Sequence, residues 1–520
     1  MYTLLIEFLH CLYFYFKKPL LLLYFLSLAR LVTRKYTFTA NIMHSVSTLL
    51  IIFSVFMLSS AKTGPSHNKV VVCYVSTWAV YRPNNGKFAI ENIDPNLCTH
   101  LVYAFAGLDK DIFTIKSMDP WQDLKDNYGL GGYERITNLR QSHPHLKVSL
   151  AIGGWNEDPP KYSRMASDTD LRKQFVKSAT DFVLRYKFDG LDLDWEFPTA
   201  RGGQPVDKDN FVLLVKELKD SFRQHNLLLT SAFGASKKII DEAYDIPALS
   251  KYLDFMHIMC YDYGGAWDRR VSANAPLKGQ GILNVEYTID YLIKLGASPT
   301  KIVMGLPFYG RTFVVNHLDG NFGDASNEIG FEGPSTREKG FMGYNEICAL
   351  LTNRTSGWQQ SYNIEMSQAI AKYKNAETGE MRIAIYDSSR SIAQKIKFAM
   401  SRNLGGAMVW SVDTDDFRGE CDIDNDTFID FKPVPGVDLT IPKRYNANYP
   451  LLRTINEATV LALDEISQEA HLPDKDKENE IPHGTNGNDK GNASTCKKSK
   501  QHFYFIVSTV VCSMYLRISQ

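Results

Sequence analysis

Eight short apolar runs recur along the chain, and turn-forming or helix-starting residues follow each of them. Between the runs, apolar residues recur with the period of about 3.6 residues that is typical of amphipathic helices, as in residues 171–186 and 210–224. Strands that alternate with helices form parallel sheets, so the pattern predicts an α/β protein. The runs are "VVVCYV", "HLVYAF", "KVSLAIGG", "GLDLDWE", "LLLTSAF", "FMHIMCY", "IVMGLPF" and "GAMVWS".

Two arrangements suit eight such units. They can close into a (β/α)8 TIM barrel, or they can form an open doubly wound sheet. No Gly-rich nucleotide-binding turn follows the first run, which favours the barrel. We therefore predict a catalytic barrel over residues 66–440. After the seventh run, roughly seventy residues rich in Gly and aromatics pass before the next helix, so we place a small α+β insertion at residues 312–385.

The fourth run places acidic residues at every second position among large apolar ones. In "FDGLDLDWEFP", residues 188–198, the side chains of Asp192, Asp194 and Glu196 share one face of a strand. The leucines between them and Trp195 share the other face. In a barrel the apolar face packs against the helices, so we expect Trp195 in the core and the acids inside the barrel.

Two other interpretations of the acidic strand are weaker. Alternation usually marks a strand with one solvated face, but a parallel strand covered by helices has no such face. Clustered carboxylates also bind divalent metals, but a calcium loop needs turn residues between its ligands, and here Leu, Leu and Trp stand between them. We therefore favour a site that uses neither a metal nor a cofactor.

Repulsion between the acids predicts a retained proton. Neighbouring acids on one strand face lie about 6.6 Å apart, and their repulsion is roughly 2.5 kcal/mol at an effective dielectric constant near 20. They cannot all ionise near neutral pH at low cost. Glu196, the member nearest the end of the strand, can therefore stay protonated and act as a proton donor.

Charge and composition favour a neutral partner. Lys+Arg and Asp+Glu balance at 58 each, so no net field attracts nucleic acid or an anionic membrane. Aromatic residues make up 12 % of the chain, and their flat side chains can stack on sugar rings. Barrels carry their chemistry at the carboxyl ends of the strands, which is where Glu196, Tyr261, Asp262 and Trp410 fall.

The N-terminal region carries a targeting pattern. From Met43, "MHSVSTLLIIFSVFMLSSAKTG" has an apolar stretch followed by small residues at Ser59 and Ala61. This predicts a signal peptide at residues 43–61, with residues 1–42 as an upstream apolar extension that the mature protein lacks. The alternative is a signal anchor through residues 20–32.

The C-terminal region is expected to lie outside the barrel. We predict a short helix and a disordered polar linker over residues 441–502, because this segment is too polar to bury a core. The apolar tail at residues 503–520 and the small residues near Asn492 resemble a lipid-anchor signal. The protein is therefore expected to be extracellular, either free or held at the outer membrane surface by a lipid.

Secretion makes disulfides and glycosylation expected features. The simplest connectivity pairs Cys73 with Cys98 and Cys348 with Cys421, which leaves Cys260 as a free thiol in the core. Too few cysteines follow Cys421 for an appended Cys-rich binding module. The glycosylation acceptors of the barrel region are Asn353 and Asn425.

With these motifs in hand, residues 69–430 resemble the family 18 glycoside hydrolases, the chitinases and chitinase-like proteins. "DGLDLDWE", residues 189–196, matches the family's DGxDxDxE signature in full. "LAIGGWN", "MCYD", "PFYGRTF" and "GGAMVWSVDTDDF" resemble its other motifs in the expected order. The chain departs from the family at Phe197, Gly264 and Ala266, where Tyr, His and Ser are more common. The resemblance implies chitin or chitooligosaccharides as the partner and a cleft deepened by the insertion.

The resemblance also implies a role for each site residue. Glu196 protonates the glycosidic oxygen, Asp194 orients the substrate's N-acetyl group and stabilises an oxazolinium ion, and Asp192 shares a proton with Asp194. Tyr261 donates a hydrogen bond to the N-acetyl carbonyl. The N-acetyl oxygen attacks the anomeric carbon, so the reaction retains configuration. The substrate-binding residues that the resemblance implies are Tyr74, Phe105, Trp155, Met259, Asp262, Trp267, Arg311 and Trp410.

Position 196 separates two functions. Some members of the family lack the acid there and act as lectins on the same cleft. Because this chain has Glu196, the resemblance favours an enzyme. The alternative is a lectin that binds chitin oligosaccharides with weak or no hydrolysis.

Overall fold

The structure is a computed structural model that describes residues 64–317, 319–326, 329–421 and 447–469. The predicted upstream extension, signal peptide, polar linker, apolar tail and Asn425 lie outside these residues. Within them, no helix is both long enough and apolar enough to span a membrane.

Eight parallel strands close into a barrel, which confirms the predicted fold. The first strand pairs with the second and with the last, so that the ring is complete. A short strand, β3 (Ile115–Ser117), extends the wall by pairing antiparallel with the second barrel strand. The barrel strands are β1 (Val70–Ser76), β2 (His100–Leu108), β4 (Lys147–Gly153), β5 (Gly190–Asp194), β6 (Leu228–Gly234), β7 (Phe255–Met259), β8 (Ile302–Pro307) and β14 (Gly406–Trp410).

A second sheet follows the seventh barrel strand, as the insertion predicted. Its five strands are antiparallel in the order β10-β9-β13-β12-β11. The sheet starts at Tyr309 and ends at Tyr386, close to the predicted limits of 312 and 385. Its strands are β9 (Tyr309–Asn316), β10 (Phe341–Gly343), β11 (Gln359–Asn363), β12 (Gln368–Lys374) and β13 (Glu380–Tyr386).

The helices form where amphipathic patterns coincide with capping residues. The carboxylate of Asp168 caps one long helix by accepting hydrogen bonds from the backbone N–H groups of Asp170 and Leu171. The α-helices are α1 (Pro120–Asp123), α2 (Gly132–Asn138), α3 (Pro159–Ser167), α4 (Thr169–Arg185), α5 (Asp207–Arg223), α6 (Lys237–Ala243), α7 (Ile246–Tyr252), α8 (Val285–Lys294), α9 (Tyr344–Thr352), α10 (Ser389–Ser401) and α11 (Pro450–Glu469).

Helix α11 corrects the expectation that the chain leaves the barrel after residue 440. It is 20 residues long and packs against α10. Leu451, Leu452 and Ile455 at its start are fully buried. The carboxylate of Asp415, just beyond β14, accepts a hydrogen bond from the backbone N–H of Leu452 at 3.0 Å. The helix therefore belongs to the layer of helices around the barrel. The sequence pattern pointed away from this packing because the polar segment after Glu469 dominates the composition of residues 441–502.

The apolar residues of the barrel form two layers, separated by the barrel wall, and a third cluster packs on the second sheet. One layer lies between the strands and the helices and contains Leu191, Leu193 and Trp195. Trp195 stacks on Tyr162 of α3, which confirms that it is a core residue. A smaller cluster fills the inside of the barrel and includes Tyr74. The acids of β5 share this inner side.

Candidate active site

Asp192 lies at the centre of a buried hydrogen-bond network inside the barrel. One of its oxygens accepts a hydrogen bond from the hydroxyl of Tyr74 at 2.6 Å, and the other accepts one from the hydroxyl of Thr230 at 2.5 Å. The Nδ1 atom of His257 lies 2.8 Å from the Tyr74 hydroxyl and 3.2 Å from Asp192. These partners come from β1, β6 and β7, so the acidic face of β5 points inward as predicted.

Asp194 and Glu196 both hold protons more firmly than ordinary carboxyls. Burial, reinforced by the charges of Glu196 and Asp192, raises the pKa of Asp194 well above its usual range. Its Oδ1 atom is buried and has no hydrogen-bond partner among the described residues. Burial and the charge of Asp262 raise the pKa of Glu196 to about 7, while Arg201 opposes this shift. A protonated Glu196 at neutral pH can donate its proton.

A second cluster of polar side chains surrounds Asp262, which lies beyond the end of β7. Its carboxylate accepts hydrogen bonds from the hydroxyl of Tyr309 at 2.8 Å and from Nε of Arg311 at 2.7 Å. The neighbouring Tyr261 is buried, with its hydroxyl 3.8 Å from the sulfur of Met408. Burial and the charge of Asp194 raise the pKa of Tyr261 well above its usual range, so its hydroxyl remains a hydrogen-bond donor.

Tyr74 lies in a different place from the one the resemblance implied. Its side chain is almost completely buried inside the barrel, so it does not line an open cleft. Its hydroxyl contacts Asp192 and His257, beneath the acids. Its ring meets that of Trp410 edge-on with 5.7 Å between centroids. This geometry suits a residue that positions Asp192 rather than one that touches a sugar.

Aromatic side chains surround the carboxyl end of the barrel. The ring of Trp410 stacks on that of Phe105 at 5.8 Å, and Phe105 stacks on Trp78 at 6.1 Å. Trp155 and Trp267 are each more than half exposed. Each has a guanidinium group over its ring: Arg201 lies 3.9 Å from the centroid of Trp155, and Arg311 lies 5.0 Å from that of Trp267.

Met259, the last residue of β7, is partly buried and packs with the cluster inside the barrel. The structure therefore brings together the predicted catalytic and substrate-binding residues at or below the carboxyl end of the barrel. Tyr74 and Asp192 lie deepest, whereas Trp155 and Trp267 are the most exposed of the set.

Sequence reasoning missed several residues that hold the site together. Thr230 and His257 are polar residues within otherwise apolar runs, and Thr230 is in register with Asp192. A polar residue within an apolar run, in register with an acid on the next strand, was the sequence signal that could have identified Thr230. Trp78 and Arg201 lie beyond the ends of strands, where the strand pattern gives no information about the side chain. Asn274 lies in a long loop after β7, and its role depends on contacts that only the folded chain reveals.

Both predicted disulfides are present, between Cys73 and Cys98 and between Cys348 and Cys421. Cys260 is a buried free thiol, as expected. The sequon residue Asn353 is exposed at the end of α9. Across the described ranges, no cluster of three or more His, Cys, Asp or Glu side chains is arranged to hold a metal ion.

Comparison with known proteins places this site in a family. The model of glycosyl hydrolases family 18 matches residues 70–415. "Probable chitinase 2" of Drosophila melanogaster is 61 % identical over 429 residues, which cover 82 % of this chain and 87 % of that protein. Two solved structures show the same fold in relatives with different activities.

The Group IV chitinase of Ostrinia furnacalis in complex with allosamidin gives a TM-score of 0.67 at 36 % identity, over 76 % of this chain and 99 % of that one. Human YKL-39, described as a pseudo-chitinase with retained chitooligosaccharide binding properties, gives a TM-score of 0.63 at 30 % identity, over 75 % of this chain and 99 % of that one. On the extent of the family match and the identity to these relatives, this chain belongs to the glycosyl hydrolases of family 18.

Proposed function

We propose that this protein is a chitinase that hydrolyses the β-1,4 linkages between N-acetylglucosamine units. The observation that carries the proposal is Glu196, which follows the end of a barrel strand in the family's signature and has a pKa raised to about 7. A carboxyl group with that pKa is protonated often enough at neutral pH to act as a general acid and can then act as a base. The relatives named as chitinases support the same activity.

In the proposed reaction, Glu196 gives its proton to the oxygen of the scissile linkage. The substrate's own N-acetyl oxygen attacks the anomeric carbon, so no covalent bond to the enzyme forms and configuration is retained. Asp194 orients the N-acetyl group and stabilises the oxazolinium ion. The buried Oδ1 atom of Asp194 has no partner within the described residues, so it is available to that group. Glu196, now ionised, activates the water that opens the ion.

Asp192 and Tyr261 complete the proposed catalytic set. Asp192 accepts hydrogen bonds from Tyr74 and Thr230, which fix its carboxylate inside the barrel. Sharing of a proton between Asp192 and Asp194 is part of the proposal. Tyr261 keeps its phenolic proton because its pKa is raised, and it donates a hydrogen bond to the N-acetyl carbonyl. Burial of these groups reduces the competition from water for the charges that develop.

The sugar-binding set extends along the aromatic rim. Trp410 is proposed as the floor under the scissile sugar, with Phe105 stacked beside it. Trp155 and Trp267, which are more exposed to solvent, are proposed to bind sugars farther along the cleft. Met259, Asp262 and Arg311 are proposed to contact the sugar next to the cleavage point. For Tyr74, the burial and the hydrogen bond to Asp192 support a positioning role in place of direct contact.

The other candidate is a lectin that binds chitooligosaccharides without cleaving them, as the description of YKL-39 illustrates for that relative. Glu196 argues against it here, because the acid is present and its pKa suits proton transfer. The test is hydrolysis of N-acetylglucosamine oligomers by the purified chain from residue 62, beside its Glu196→Gln variant. We expect an active parent and a variant slowed by at least about 100-fold. An inactive parent that still binds the oligomers would identify a lectin.

The proposed location is extracellular. The signal peptide at residues 43–61 supports secretion, and the exposed Asn353 is open to glycosylation on that route. Anchoring through the C-terminal tail rests on the sequence pattern alone. Treating intact cells with a phosphatidylinositol-specific phospholipase tests it, because release of chitinase activity into the medium is expected only if a lipid holds the protein.

A further inference from the structure

A cavity of about 380 Å³ lies along the loop between β7 and α8, residues 260–284, and none of the residues proposed for catalysis or sugar binding lines it. Cavities that bind small molecules have volumes of roughly 300–1,000 Å³, so this one has room for a single small ligand. Part of its lining is apolar and consists of Tyr263, Pro276, Leu283 and, from the turn between β11 and β12, Met366.

Polar side chains complete the lining of this loop cavity. Asp268, Arg270 and Gln280 all line it and are all exposed to solvent. Asp268 accepts hydrogen bonds from the backbone N–H of Gly265 at 3.1 Å and from the hydroxyl of Ser272 at 3.3 Å. Among the residues that the structure describes, no side-chain hydrogen bond or ion pair engages Arg270 or Gln280. Their N–H groups are therefore available to a ligand.

Gly264 shapes the loop cavity, and it is a position at which this chain departs from the family. Its φ lies outside the left-handed region, so the backbone conformation does not require a glycine. Close packing does require one. A Cβ at this position would lie 2.5 Å from the hydroxyl oxygen of Ser272 and 3.0 Å from the carbonyl oxygen of Ala273, and both of these residues line the cavity. A histidine, the residue more common here in the family, would displace them.

Hydrogen bonds fix the walls of the loop cavity before a ligand arrives. The hydroxyl of Tyr263 donates to Thr288 of α8 at 2.7 Å, and its backbone N–H donates to the carbonyl of Asn274 at 3.0 Å. The backbone N–H of Leu277 donates to the carbonyl of Met366 at 2.8 Å, which joins the loop to the second sheet. A site held in this way loses little conformational entropy on binding.

We propose that the loop cavity is a second sugar site, which binds one N-acetylglucosamine unit independently of the active-site cleft. The inference rests on the proposed function, because the products of that reaction supply the ligand. Sugar hydroxyls both donate and accept hydrogen bonds, and the lining offers a carboxylate acceptor on Asp268 and donors on Arg270 and Gln280. The apolar part of the lining suits the methyl group of the N-acetyl substituent and the C–H face of the ring.

The balance of charge around the loop cavity favours a neutral ligand. Lys278 also lines the cavity, but its ammonium group pairs with Glu286 of α8 at 3.2 Å. The remaining charges in the lining are one guanidinium, on Arg270, and one carboxylate, on Asp268. An anion would be repelled by the carboxylate and a cation by the guanidinium, whereas a sugar can use both groups.

Titration with N-acetylglucosamine tests the second site without any hydrolysis. The background carries Trp410→Ala, which removes the proposed floor of the cleft, so that the remaining binding reports on the loop cavity. Arg270→Gln is then compared with Arg269→Gln, a matched control at an exposed neighbour outside the lining. We expect Arg270→Gln to weaken binding by about tenfold or more, because it removes a charged hydrogen-bond donor, and Arg269→Gln to bind as the background does. Gly264→His should abolish binding.

The same titration of the chain with Trp410 intact guards against a folding defect in the background. Two sugar sites per molecule are expected there, and Arg270→Gln should leave one. A single site that Arg270→Gln does not affect would overturn the proposal, as would equal affinities of Arg270→Gln and Arg269→Gln in the background. Binding of sulfate that depends on Arg270, in a chain that binds no N-acetylglucosamine there, would assign the cavity to an anion. Failure of the proposed function is separate, since it appears as a wild-type chain that hydrolyses no oligomer.

Discussion

The side-chain oxygen of Asn274 accepts a hydrogen bond from the backbone N–H of Asp262 at 3.0 Å. Asn274 is fully buried, and its amide nitrogen donates to the backbone carbonyl of Tyr309 at 3.3 Å. Asp262 has a φ of 57°, in the left-handed region that residues other than glycine seldom adopt. Asn274 therefore stabilises Asp262 in the conformation that presents its carboxylate to Tyr309 and Arg311.

Replacing Asn274 by Leu is expected to lower kcat and to move the basic limb of the pH profile to lower pH. The reason is that the charge of Asp262 helps to raise the pKa of Glu196, and a carboxylate that is no longer held in place does so less effectively. A shift of up to about one pH unit is expected in kcat/KM. The same substitution in an Asp262→Asn background should cause no further shift. Additive shifts would show that Asn274 acts by another route.

Activity is expected to fall above about pH 7, because Glu196 must be protonated to act as the acid and its pKa is about 7. Arg201 lowers that pKa, and its Nη1 atom lies 3.0 Å from the backbone carbonyl oxygen of Glu196. The Arg201→Gln variant should therefore move the basic limb to higher pH, opposite to the shift expected for Asn274→Leu. Profiles of kcat/KM for both variants check the two signs, and shifts in the same direction would contradict this assignment.

Tyr74→Phe is expected to lower kcat by about tenfold while leaving KM nearly unchanged. The substitution removes the hydroxyl that donates to Asp192 but keeps the ring that fills the inside of the barrel. A residue that bound the sugar directly would instead raise KM. Tyr103→Phe is the matched control, because that buried tyrosine donates to Asp123 at 2.6 Å and belongs to the layer outside the strands. Its kinetic constants on short oligomers should match those of the wild type.

The barrel and its acidic strand follow from the sequence because they depend on local periodicity. Asp192, Asp194 and Glu196 lie two residues apart, so strand geometry alone predicts their shared face. The partners of these acids are far away in the chain: Tyr74 is 118 residues from Asp192. No pattern in a single sequence shows which distant side chains meet.

The sequence also did not reveal that helix α11 packs against the barrel, because its contacts are with residues distant in the chain. Its buried residues have neighbours on α10, and the polar residues after Glu469 suggested a segment without a core.

A chain that ends at residue 445 is expected to be far less stable than one that ends at residue 470. It would lose α11, whose Leu451, Leu452 and Ile455 are fully buried. Burial of each such side chain contributes about 1.5–3 kcal/mol, so the three together approach the 5–15 kcal/mol that stabilises a typical domain. Soluble yield and urea unfolding of the two chains, both starting at residue 62, provide the measurement. Equal stability would show that the helix is not part of the folded unit.

Removing one member of the ion pair between Lys395 and Asp387 is expected to be strongly destabilising. Both side chains are completely buried, with Nζ of Lys395 2.5 Å from the carboxylate of Asp387. Asp387 also accepts a hydrogen bond from Gln368 of the second sheet at 3.1 Å, so the pair joins the insertion to the barrel helix α10. Burial raises the pKa of Asp387 and lowers that of Lys395. Burial therefore disfavours the charged form of each group, and each stays charged only because the opposite charge lies beside it.

The Lys395→Met variant should therefore lower the free energy of unfolding by about 3–5 kcal/mol, because it leaves a buried carboxylate without a counter-charge. Combining it with Asp387→Leu should recover most of that loss, since neither charge remains. The matched control is Lys177→Met, which breaks an exposed pair with Asp181 on α4 and should cost less than about 1 kcal/mol. Urea unfolding at neutral pH measures all three variants. If Lys395→Met and Lys177→Met lowered the free energy of unfolding by similar amounts, burial would not determine how much this ion pair contributes to stability.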